Sequence, residues 1–67
     1  MMRERGTILD IYVEEGITRA EVDLGRTTRN VFLTLLMNAR VGEDVLVERD
    51  LALSVLPRTS EVSMEVE

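Results

Sequence analysis

Residues 39–56 read ARVGEDVLVERDLALSVL. Val45 and Val47 alternate with Leu46 and Glu48, and Leu51, Leu53 and Val55 alternate with Ala52 and Ser54. A period of two sends successive side chains to opposite faces of a sheet, so the stretch predicts two β-strands joined by a short link. Val41-Gly42-Glu43-Asp44 reads as the turn before them. Gly42 admits a positive φ, and Asp44 can hydrogen-bond its own backbone.

The same pattern extends upstream. Residues 7–14 form a strand candidate, with Leu9, Ile11 and Val13 on one side and Ile8, Asp10 and Tyr12 on the other. Glu15-Gly16 has the form of a hairpin turn. Residues 18–24 carry the cleanest alternation: Ala20, Val22 and Leu24 point inward, Arg19, Glu21 and Asp23 outward. After a turn at Gly25-Arg26-Thr27, residues 28–33 make a third strand. It has Arg29, Val31 and Leu33 on one face and Asn30 and Phe32 on the other. The period then changes. Thr34-Leu35-Leu36-Met37-Asn38-Ala39 is richer in helix formers and predicts one helical turn plugging the barrel end. Pro57 cannot donate to a ladder and ends the fifth strand or sits at an edge.

Five short strands with one helical turn between the third and fourth predict an all-β fold. The expected form is a small five-stranded barrel of the oligonucleotide/oligosaccharide-binding type, an OB-like barrel. A five-stranded SH3-like barrel satisfies the same pattern. The chain is expected to be a single domain over residues 1–67, with the barrel over about 6–57 and a tail over 58–67. In that tail Val62, Met64 and Val66 alternate with Glu61, Ser63, Glu65 and Glu67. The tail reads either as a frayed acidic end or as a sixth strand pairing with a barrel edge, in its own chain or in a neighbour's. The second reading predicts a homo-oligomer.

Composition narrows the chemistry. The 67 residues include no Cys and no His, which removes disulfides, the usual structural zinc sites and Ser-His or Cys-His nucleophilic pairs. All 8 basic residues are Arg, so there is no lysine for a Schiff base or a phosphate loop. The expectation is a protein that is not an enzyme and carries no cofactor. The net charge of −5 arises entirely in residues 41–67. An acidic chain with 1 Tyr and 1 Phe is poorly suited to phosphate contact and base stacking, so no nucleic-acid partner is expected. No apolar run approaches the ~20 residues of a membrane-spanning helix, and residues 1–6 contain no apolar signal region. No membrane partner is expected, and the cytoplasm is the expected location.

Residues 20–56 together resemble a known family, the hydrogenase assembly chaperones HypC/HupF. The family pattern runs A-x-VD-x-G, R-x-V-x-L-x-LL, VGDYVLVH and GFA. It is matched in order by Ala20, Val22, Asp23, Gly25, Arg29, Val31, Leu33, Leu35, Leu36, Val41, Gly42, Val45, Leu46, Val47 and Ala52. The segment Gly6-Thr-Ile-Leu-Asp-Ile11 is similar to the family's PGKVVEI opening. The resemblance implies an OB-like barrel and a chaperone role in nickel–iron hydrogenase maturation. The implied partners are a hydrogenase large-subunit precursor or a HypD-like maturation protein. Family members carry iron through a cysteine after the initiator Met, with a histidine closing VLVH. Here the chain opens Met1-Met2-Arg3, and Glu48 stands at the histidine position. Neither thioether nor carboxylate replaces a thiolate for low-valent iron, so iron carriage is not implied.

The residues expected to meet a partner are Phe32 and Leu46, outward-facing on core strands, with Tyr12 and Ile8 joining them, and the tail's Val62, Met64 and Val66. Single exposed apolar residues are also ordinary on any protein surface. Arg26 and Arg29, flanking the Gly25 turn, read either as solvated charges or as partners for acids on another subunit. Glu21 and Asp23 share an outer face and could together approach a divalent cation.

Overall fold

The computed structural model describes residues 3–57. They form β1 (Arg3–Glu14), β2 (Ile17–Asp23), β3 (Thr28–Phe32), β4 (Asp44–Glu48) and β5 (Leu51–Leu56). The strands close into a barrel in the order β1-β2-β3-β5-β4. All neighbours are antiparallel except β3 and β5, which run parallel and meet at Phe32–Leu51. This order is that of the OB-like barrel and separates it from the SH3-like alternative.

The twelve residues of β1 serve two neighbours. Residues 3–7 pair with β4, and residues 7–14 pair with β2, so Thr7 faces Asp44 on one edge and Asp23 on the other. The strand must bend sharply there, and two local features allow it. Gly6 is buried against β2: a Cβ at this position would lie 2.3 Å from Val22 Cγ1 and 2.9 Å from the Asp23 carbonyl oxygen. Only a residue without a side chain permits that approach. Three residues later the register slips between Ile8 and Asp10, leaving Leu9 as an extra residue. Such a bulge kinks a strand and increases its twist. The Glu43 carbonyl accepts a hydrogen bond from Ile8 N at 2.9 Å, and the Ile8 carbonyl accepts one from Gly42 N at 2.9 Å. The turn before β4 is thereby tied to the bend.

The bulge corrects the expected facing of β1. Ile8 is not on the outer surface: it is 1% exposed and belongs to the core. Leu9 and Val13 face solvent, whereas Ile11 packs on the core. A second irregularity, between Leu46 and Val47 on the β4–β5 pair, breaks the expected Leu51/Leu53/Val55 face in the same way. Ile8 is joined in the core by Ala20 and Val22 of β2, Val31 of β3, Leu33, Val45 and Val47 of β4, and Ala52 of β5. These side chains are all aliphatic, with no aromatic ring among them. A core of this kind tolerates little change of volume.

Residues 34–39 do not form the expected helical turn. They make two successive β-turns, closed by Leu36 N donating to the Leu33 carbonyl at 2.9 Å and Ala39 N donating to the Leu36 carbonyl at 3.1 Å. Leu36 and Ala39 still pack against the core, so the segment does cover the barrel end. Among the described residues no helix is long and apolar enough to cross a membrane. The expected tail strand, with Val62, Met64 and Val66, lies outside the described residues.

Glu15 and Gly16 both have positive φ, 54° and 80°, which gives the two-residue β1–β2 turn the type I′ form. Two stability predictions follow from this geometry. Gly6→Ala drives a methyl group into Val22 and the β2 backbone, and should lower unfolding free energy by about 3 kcal/mol in urea titration. Glu15→Asn places a residue suited to the left-handed region there and should raise it by about 0.5–1 kcal/mol.

Candidate functional site

The outer surface of β1, β2 and β3 carries one cluster of residues suited to recognition. The two-residue turn at Glu15-Gly16 sets Tyr12 opposite Arg19, and the β2–β3 register sets Arg19 opposite Phe32. All three point away from the core because Ile11, Ala20 and Val31 beside them point into it. The chain's single Tyr and single Phe therefore flank the same arginine.

Side-chain contacts hold this cluster in place. The Arg19 guanidinium carbon lies 4.6 Å from the centroid of the Phe32 ring, within range of a cation–π attraction. Arg19 Nη1 donates to Glu14 Oε1 at 3.2 Å. The Asn30 amide of β3 donates to the Tyr12 hydroxyl of β1, reaching across β2. Arg19 Nε is buried without an acceptor among the described residues. Tyr12 and Phe32 are half-buried, as is Arg19, so each ring presents one side to solvent.

Leu46 belongs to a different part of the surface. It stands on β4 between Arg5 of β1 and Ser54 of β5, outside the Tyr12–Arg19–Phe32 row. Following that row further leads from Phe32 to Leu51 of β5, then Glu48 of β4, and returns to β1 at Arg3. The strand stagger of the barrel thus connects one end of β1 to the other. Glu48 pairs with Arg3 at 3.5 Å on this surface.

Arg29 is not a freely solvated charge: it is half-buried and bonded within its own chain. It shares the inward phase of Val31 and lies at the barrel mouth. There Nη2 approaches Glu4 Oε1 at 3.5 Å, and Nη1 donates to the Arg49 carbonyl at 3.1 Å. The side chain bridges the seam where β3 and β5 have separated. Arg26 is exposed in the β2–β3 turn. Asp23 acts in that turn, its carboxylate accepting from Gly25 N at 2.8 Å, and Glu21 accepts from the Thr28 hydroxyl at 3.0 Å. The turn before β4 divides its acids differently from the expectation. Glu43 closes the turn by accepting from Arg40 N at 2.8 Å. Asp44 accepts from the Thr7 hydroxyl at 2.8 Å and from Arg5 Nη2 at 3.0 Å, which ties β4 to β1.

Sequence reading found the two rings but missed Arg19 and Asn30 as their companions. The Tyr12–Arg19 pair was accessible, since a two-residue turn fixes that register. The Phe32 side was not, because the length of the β2–β3 loop is not evident from composition. Comparison with known proteins gives no further guide: no family model, no curated protein and no solved structure matches the chain.

The contrast between Arg29 and Arg3 is testable. Arg29→Met removes a charged hydrogen bond at a half-buried seam and should cost about 1 kcal/mol in urea unfolding. Arg3→Met removes an exposed pair and should cost less than about 0.5 kcal/mol.

Proposed function

We propose that this chain is a non-catalytic, protein-binding barrel, an accessory module related to the HypC/HupF hydrogenase-maturation chaperones. Its clients on this reading are a hydrogenase large-subunit precursor or a HypD-like maturation protein, and it does not carry iron itself. The observation that carries the binding role is the convergence of Tyr12, Arg19 and Phe32 on one outer surface. Aromatic residues and arginine dominate the energetics of protein interfaces. A surface whose side chains already hold one another loses less conformational entropy on binding. The in-register resemblance over residues 20–56 supports the choice of client. The glutamate at position 48, where the family pattern has histidine, supports a role without metal transfer.

The reading is tested with purified protein. Isothermal titration against a hydrogenase large-subunit precursor and against a HypD-like protein should show saturable binding to at least one. Phe32→Glu and Arg19→Ala should each weaken it about 30-fold or more while the circular dichroism spectrum is unchanged. Leu46→Glu should leave the affinity within a few-fold. Absence of binding to either protein overturns the choice of client, and full affinity in Phe32→Glu overturns the choice of surface. A stable homo-oligomer by light scattering, with no binding to either protein, favours a self-assembling barrel instead.

A further inference from the structure

The outer face of β1, β2 and β3 is built in rows, because residues two apart on a strand share a face and stand about 7 Å apart. The Tyr12–Arg19–Phe32 row is the middle one. On one side of it Asp10, Glu21 and Asn30 face one another across the three strands. On the other side Glu14 stands opposite Ile17. Ile17 is 44% exposed and lines an open cleft of about 220 Å³ together with Gly16, Thr18, Thr34 and Met37, the last 68% exposed. Along β2 the surface therefore passes from an apolar cleft, across two rings, to a pair of carboxylates.

The charge on this face is uneven. Asp10, Glu14, Glu21 and Asp23 are exposed on it, against Arg19 alone. Elsewhere in residues 3–57 six acids stand against six arginines. The net negative charge of the described residues is thus concentrated on β1–β3. Glu14 pairs with Arg19, but among the described residues no arginine pairs with Asp10, Glu21 or Asp23. Their hydrogen bonds go to Ile11 N, the Thr28 hydroxyl and Gly25 N, all neutral donors. Asp10 and Glu21 are also direct cross-strand partners, an arrangement in which like charges repel and weaken a sheet. Among the described residues no three acids gather to hold a metal ion.

We propose that the partner seated on this face is a basic, extended segment of polypeptide. It places an arginine or lysine against Asp10 and Glu21 and a large apolar side chain in the Ile17–Met37 cleft. The inference rests on the reading of the Tyr12–Arg19–Phe32 row as the binding surface, and adds the chemistry of what binds there. The cleft and the carboxylate pair are two rows apart, a span that an extended segment covers in about four residues. Arginine suits the basic position best, since its planar group can fork onto carboxylates and also lie against the neighbouring Tyr12 ring. Complementary charge speeds the encounter and rejects acidic partners. The same charge repels nucleic acids and anionic lipid surfaces.

The test uses the full chain, immobilised, and a phage-displayed library of random linear peptides selected at low salt. Enriched peptides should carry arginine or lysine with a large apolar residue about four positions away. Their synthetic forms should bind the double variant Asp10→Asn/Glu21→Gln about tenfold more weakly than the parent chain, and should weaken as salt is raised. The double variant keeps an acceptor for Thr28 and removes a repulsion, so its melting temperature should be unchanged or higher. Phe32→Ala should weaken the same peptides. Peptides that lose affinity in Phe32→Ala but bind the double variant fully overturn the basic partner and leave the surface standing. Peptides indifferent to both variants overturn the surface as well. Recovery of acidic or neutral peptides, or of none, overturns the basic partner, and calorimetry against the two client proteins then decides the surface on its own.

Discussion

At Thr7, β1 is paired on both edges, with Asp23 of β2 and Asp44 of β4. One strand can serve both neighbours only if it bends where they diverge. Gly6 supplies the close approach to β2, and the bulge at Leu9 supplies the change of direction. Asp44 reinforces the same point by accepting hydrogen bonds from Thr7 and Arg5. The rest of the barrel depends on this bend. Without it β4 would have no partner other than β5, and the small aliphatic core would lose one wall. No disulfide can stabilise this chain, so closure of the sheet must substitute for a covalent staple.

The legible and illegible parts of the fold divide along the same line. Strands β2, β3 and β4 are regular over their inward-facing residues, and their facing follows directly from alternation. Ile8 and Leu53 were misplaced because each adjoins an irregularity that shifts the phase of a strand. A bulge has no compositional signature when the extra residue is leucine. Residues 34–39 are a subtler case. Leu33, Leu36 and Ala39 recur every three residues and all contact the core, a spacing that the helix-former composition of the segment does not by itself reveal. Its physical origin is a pair of turns, each closed by a bond three residues back, rather than a helix. Of the Tyr12–Arg19–Phe32 row, the two rings are visible in the sequence as outward aromatics. Their convergence on Arg19 required the register of three strands.

The family resemblance acquires a physical interpretation once the core is known. Every buried core residue except Ile8 is among the positions that match the HypC/HupF pattern. Val41 and Gly42, also matched, belong to the turn tied to Ile8, where Gly42 adopts a φ of 95°. Matches of this kind record what a five-stranded barrel needs in order to close and pack. They bear on the fold more strongly than on the client, because sites are grafted onto folds. On the outside of the barrel the chain has its own features: Tyr12, Arg19 and Phe32 in one row, and Glu48 paired with Arg3.

Arg19 shows why that row is more than incidental packing. Its Nε is buried without an acceptor, an arrangement that costs about 1–3 kcal/mol in a folded protein. The attraction to the Phe32 ring returns about 1 kcal/mol, and the pair with the exposed Glu14 returns less. A lysine or glutamine on the same strand could keep the surface polar without burying a donor. Arg19 against Phe32, and Asn30 bonded to Tyr12, tie both half-buried rings to neighbouring side chains on a small domain with little stability to spare. Local rules of polar satisfaction are most often broken at functional sites, where another requirement outweighs them. Aromatic faces beside a charged planar group suit a protein interface, the role proposed above for this surface.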